Sequence, residues 1–151
     1  MRPLAPALAL LLVPGLAGAD DTPRWSRDCD STGCLIAART ADPEQERLLA
    51  TVILSHGPDF EEPLLVVFTP LGIAARPGVR VTLDGETLFE TVMEVCLPDG
   101  CRTAAPLSRA DFDEFASAQT LEVRYFAYGN DVPLLVPFPV TGLAAALDHL
   151  P

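Results

Sequence analysis

Lysine is missing from this chain altogether. Ten arginines are its only strong bases, set against 21 aspartates and glutamates, and the formal charge is −11. A chain this acidic is repelled by phosphate backbones and by anionic lipid heads, which excludes nucleic acid and membrane surfaces as expected partners. Histidine is scarce, with only His56 and His149. Catalytic signatures are missing too. There is no G-x-S-x-G nucleophile elbow, no phosphate-cradling glycine loop and no dinucleotide fingerprint. No calcium loop of the D-x-D-x-D-G type occurs. After residue 19 no apolar run approaches the ~20 residues that cross a bilayer.

What is present begins with an address. Met1-Arg2 is a short positive start, Leu4 to Leu16 is apolar, and Ala17-Gly18-Ala19 supplies small residues where a signal peptidase cuts. Residues 1–19 therefore read as a secretory signal, too short to be a membrane anchor. The expectation is an exported chain without a transmembrane span, a single domain over residues 20–151, in a compartment where disulfides form. Without the signal, 132 residues remain, with nine arginines against 21 carboxylates and a net charge of −12.

Short apolar runs separated by proline and glycine predict an all-β fold. Leu35 to Ala38 is a first strand, and residues 41–47 are a polar loop. Leu48 to Leu54 and Leu64 to Phe68 are nearly continuous in apolar character, which predicts burial on both faces. Val79, Val81 and Leu83 alternate with Arg80 and Thr82, the period of a strand with one wet face. Asp84-Gly85 is a hairpin turn, with Thr87 to Val95 as the return strand. Leu121 to Tyr128 and Val132 to Phe138 form a further pair. Pro133 and Pro137 put the second of these at a sheet edge, because each removes a backbone donor. In the stretch Tyr125-Phe126-Ala127-Tyr128 both faces carry an aromatic ring. A two-sided core strand with tyrosine hydroxyls at its rim is the favoured reading, and an aromatic face exposed as a contact patch is the alternative. Two short helices are expected near the C-terminal end. One follows Ser108 and Asp111, which have capping-box spacing. The other runs from Gly142 to about His149, with Thr141 as its cap.

Four cysteines form two C-x4-C pairs, Cys29 with Cys34 and Cys96 with Cys101, each spacer ending in glycine after turn formers. Four cysteines allow three pairings. The turn chemistry of both spacers favours the two local ones. The even count and the export signal point to structural disulfides. Neither the C-x2-C of common zinc sites nor the C-x-x-C of thiol oxidoreductases occurs. His56, in Ser55-His56-Gly57, reads as a loop histidine at a strand end. No cofactor and no enzymatic reaction is expected. Carboxylate density alone leaves a small-ligand or calcium-binding module as the alternative.

Taken in order, these residues resemble the invasion-associated locus B family of exported bacterial envelope proteins. Trp25 lies four residues ahead of Cys29, with Cys34 after it. Thr69-Pro70-Leu71-Gly72 and Arg76-Pro77-Gly78-Val79 follow, then Asp84-Gly85 and Cys96-x3-Gly100-Cys101. Val140-Thr141-Gly142-Leu143 with Ala146-Leu147 closes the pattern, Leu143 standing where the family usually has phenylalanine. The resemblance implies a compact immunoglobulin-like β-sandwich in the envelope of an alphaproteobacterium, in the periplasm or at the outer-membrane periphery. It implies no catalytic residues. The expected activity is contact with an unidentified envelope or host protein. The expected contact region is one end of the sandwich, built from Pro70, Leu71, Gly72, Arg76, Pro77, Gly78 and Arg80 with the Asp84-Gly85 turn. Arg76 and Arg80 are its basic anchors. The competing reading is that Gly72, Pro77 and Gly78 only turn the chain.

Overall fold

The computed structural model describes residues 25–148 and Leu150. The predicted signal, residues 20–24 and His149 lie outside the described residues. Ten strands and two short helices follow in the order β1 (Ser26–Asp30), β2 (Gly33–Ala41), β3 (Leu48–His56), β4 (Leu64–Thr69), β5 (Val79–Leu83), β6 (Glu86–Thr91), β7 (Val95–Leu97), β8 (Gly100–Pro106), α1 (Arg109–Ser117), β9 (Leu121–Phe126), β10 (Pro133–Phe138) and α2 (Leu143–Leu147). They make two antiparallel sheets. One has six strands in the order β1-β2-β3-β4-β8-β7, and the other has four in the order β10-β9-β5-β6. The all-β fold expected from the apolar runs, and the sandwich that the family resemblance implies, are the observed architecture.

Alternation builds the core. Ile36, Ala38, Val52, Leu54, Leu65 and Val67 point inward from the large sheet. Val79, Val81, Leu83, Leu121, Val123, Val136 and Phe138 meet them from the small one. Phe115 of α1 and Leu143 and Leu147 of α2 join the same buried cluster. Trp25 docks edge-on to Phe115 at 6.0 Å and donates its indole N–H to the Pro139 carbonyl, at 2.8 Å. Ser108 and Asp111 form the predicted capping box at the start of α1. β10 lies at the sheet edge that its prolines require.

The bounds and caps of three elements differ from the sequence expectation. The chain opens with a hairpin rather than a single strand, since β1 pairs β2 across Cys29 and Cys34. The return strand after Asp84-Gly85 stops at Thr91, and Val95 begins β7 in the other sheet. Leu88-Phe89 before the crossing and Val92-Met93 within it are adjacent apolar pairs, and no proline or glycine marks the break, so local sequence gives no stop signal there. α2 is capped by Gly142 in the left-handed region, with no side-chain cap from Thr141.

The two disulfides repeat one device. Cys29 bonds Cys34 and Cys96 bonds Cys101, each pair directly opposite in its hairpin. The hairpins form the two edges of the six-stranded sheet. Cys34 lies opposite His56, the last residue of β3, and Cys101 lies opposite Thr69, the last residue of β4. The halves β1-β2-β3 and β7-β8-β4 are thus related by an approximate two-fold axis through the sheet. Gly33 and Gly100 occupy equivalent positions with φ of 145°. A Cβ on Gly100 would come within 2.5 Å of both the Thr69 carbonyl oxygen and the Phe68 ring, so only glycine fits there.

Candidate contact surface

β5 and β9 run antiparallel with Arg80 directly opposite Arg124. Leu135 of β10 flanks Arg124, and Glu90 of β6 flanks Arg80. One row, Leu135–Arg124–Arg80–Glu90, therefore crosses the outer face of the small sheet. Opposed like charges repel. Arg80 resolves this by pairing with Glu90 at 2.5 Å. Arg124 places its guanidinium over the Phe126 ring, 5.6 Å from the centroid, and has no carboxylate partner among the described residues. A stacked guanidinium is weakly hydrated and keeps its donors free for a carboxylate.

The segment before β5 is fastened beside this row. Ile73 bridges Ala127, the Ala74 amide donates to Phe126, and the Tyr128 amide donates to Gly72. That anchoring leaves Leu71 55% exposed and Tyr128 84% exposed at the same end. Val132 and Leu135 are also exposed on the β10 side. Pro70, Leu71, Gly72, Arg76, Pro77 and Gly78 thus share one end of the sandwich with the start of β5.

Asp84-Gly85 does not belong there. β5 runs between them and Gly78, so the turn sits at the opposite end. The Asp84 carboxylate accepts from the backbone amides of Gln119 and Thr120 and from the Thr120 hydroxyl. Its work is to fix the α1–β9 connection. The tyrosine expectation is corrected as well. Tyr125 is buried, and its hydroxyl donates to the Leu49 carbonyl in the facing sheet at 2.8 Å. Burial raises its pKa above the ordinary value, with Arg47 opposing. Tyr128 lies beyond the strand, in solvent. Arg124 was missed because it sits 44 residues from Arg80 in sequence. Only strand register brings them together.

The structure places His56 at the end of β3, in the wall of a cavity of about 400 Å³. Glu61, Glu62, Leu107, Arg109, Phe112 and Leu147 also line it. No serine, threonine or cysteine is among its lining residues. Among the described residues no group of three or more histidine, cysteine, aspartate or glutamate side chains converges on a possible metal position. No described helix is long and apolar enough to cross a membrane. At the first hairpin, Thr32 donates backbone and hydroxyl hydrogen bonds to Asp30, and these hold its carboxyl below the usual aspartate value.

These features define a class: a small disulfide-stapled β-sandwich whose outer face carries an arginine row among exposed apolar side chains. Residues 25–151 match the model of the invasion associated locus B (IalB) protein family, and the chain belongs to that family. Among solved structures it is similar to invasion associated protein B from Bartonella henselae. The identity is 20%, the TM-score is 0.69, and the match covers 86% of this chain and 93% of the other. At that identity the likeness establishes the shared fold. No curated protein matches the chain.

Proposed function

We propose that this is an exported, non-enzymatic envelope protein that acts by binding another protein through the outer face of its small sheet. The observation that carries the reading is the pairing of Arg124 with Arg80 in a chain of net charge −11, with Leu71, Tyr128 and Leu135 exposed beside them. Arginine and tyrosine are the residues that dominate protein interfaces, and a partner with an acidic patch fits this one. Family membership and the two staples support export; the periplasm and the outer-membrane periphery both suit such a protein. A role at a host cell is part of the same proposal and rests on the family alone.

The test uses a photo-crosslinking residue at Arg76, Leu135 or Tyr128 in living cells. A discrete adduct at these positions, lost in the double variant Arg80→Gln/Arg124→Gln with melting unchanged, is the expected result. Adducts that persist in that variant would sink the reading. The cavity beside His56 favours a small-ligand module as a second reading. A melting temperature that stays put with candidate amphiphiles, and with millimolar-range calcium, counts against it.

A further inference from the structure

The large sheet has a second apolar face. Strand register sets Leu35, Ser55, Leu64 and Pro106 in one row across it, and Ala37, Ile53, Val66 and Ala104 in the next. Arg39, Thr51, Phe68, Arg102 and Val95 make the third row. These residues alternate with the inward-pointing ones, so they face away from the small sheet. Ile53, Leu64, Val66 and Phe68 belong neither to the buried core nor to the side chains packed on it. Neighbouring strands cover them only in part, while Leu35 is 50% exposed and Leu97 and Phe60 are exposed near the rim. This corrects the expectation that β3 and β4 are buried on both faces. Their sequence is apolar enough for two covered faces, and the fold covers one.

We propose that a second copy of this chain covers the other. The charges around the face are arranged for it. Arg39 and Arg102 stand in the row at one end and make no ion pair among the described residues. Asp28 shares the row of Leu35 at the other end, and Glu61-Glu62 precede Leu64 there. A two-fold axis lying in the interface and crossing the strands superposes opposite ends. It lays the arginine end of each copy over the carboxylate end of its partner, which is the self-complementarity an isologous contact needs. Sheets stacked this way keep their strands roughly aligned and sit about 10 Å apart. The edge strands β1 and β7 are short, with five and three residues, so the face rather than an edge offers the larger docking surface. Six strands at about 4.8 Å and five residues at about 3.3 Å give a footprint of roughly 500 Å² before side-chain relief. Standard interfaces bury about 800 Å² per partner, so the dimer is a weak, reversible one. It leaves the arginine row on the opposite sheet free for the partner proposed above.

Sedimentation velocity of the purified chain up to about 0.5 mM reads the proposal, since a Kd of roughly 1–100 µM appears in that range. Dimer is expected, weakened about tenfold or more by Val66→Glu or Ile53→Glu with the melting temperature held. Where those variants fail to fold, the exposed charges decide. Arg39→Asp should weaken the dimer and Asp28→Arg added to it should restore it. The variant Arg80→Gln/Arg124→Gln should dimerise as the parent does, whatever it does to partner capture. A monomer at the highest concentration overturns the proposal. So does a dimer unmoved by every variant on this face, or one lost only with the Arg80 and Arg124 changes.

Discussion

Tyr125 joins the two sheets by a single hydrogen bond, from its hydroxyl on β9 to the Leu49 carbonyl on β3. A neutral buried bond of this kind contributes about 1 kcal/mol, and the burial that protects it also resists ionisation of the phenol. In the unfolded chain the group ionises near 10.0, while in the fold its pKa is raised by desolvation. The contribution is therefore intact below pH 10, and it is lost as pH rises through the folded value. Tyr125→Phe should cost about 1 kcal/mol at neutral pH and flatten the alkaline decline. Denaturant unfolding of both proteins at about pH 8 and about pH 11 measures this, and parallel declines would refute it. The residue was visible in sequence as one of an aromatic cluster, but its role was not. Alternation says that Tyr125 and Tyr128 face opposite ways. It cannot say that one strand position lies inside β9 and the other three residues on lies past its end.

Each stapled hairpin closes a very short loop, with bonded cysteines five positions apart. Chain-entropy arithmetic for such a loop gives about 2 kcal/mol per bond. The staples lie at opposite edges and opposite ends of the six-stranded sheet, so their effects should add. Replacing Cys96 and Cys101 with alanine should lower stability by about 2 kcal/mol, and replacing all four cysteines should roughly double that. Guanidinium unfolding checks the sum; a strongly unequal or non-additive pair would show that the hairpins are coupled. Most elements were legible because their signals are local: alternation in β5 and β9, the Asp84-Gly85 turn, the capping box of α1. The misses have separate causes. β1 carries no apolar alternation, since every residue in it is exposed. The break between β6 and β7 is a change of sheet that no proline or glycine marks.

At the scale of the molecule, charge and topology act together. Two ion pairs, Arg80–Glu90 and Arg109–Asp113, join described residues, and both lie at or near the surface. Most of the carboxylates on the described residues lie outside these two pairs and repel one another. Raising salt from about 10 mM to about 300 mM shortens the Debye length to well under 10 Å and should raise the melting temperature by a few degrees. A melting temperature that falls instead would mean that local ion pairs outweigh the global repulsion. The candidate site was half legible for a topological reason. Arg76 and Arg80 announce themselves within one segment, whereas Arg124 joins them only through the β5–β9 register, and Asp84-Gly85 leaves them because a hairpin turns at its strand's far end. The order of the disulfides has a further consequence. First cysteine bonds second and third bonds fourth, so a chain delivered N-terminus first meets its correct partner as the next thiol to arrive. Oxidation in order of appearance yields the native pairing, and a simple thiol oxidase suffices where a shuffled pattern would call for an isomerase.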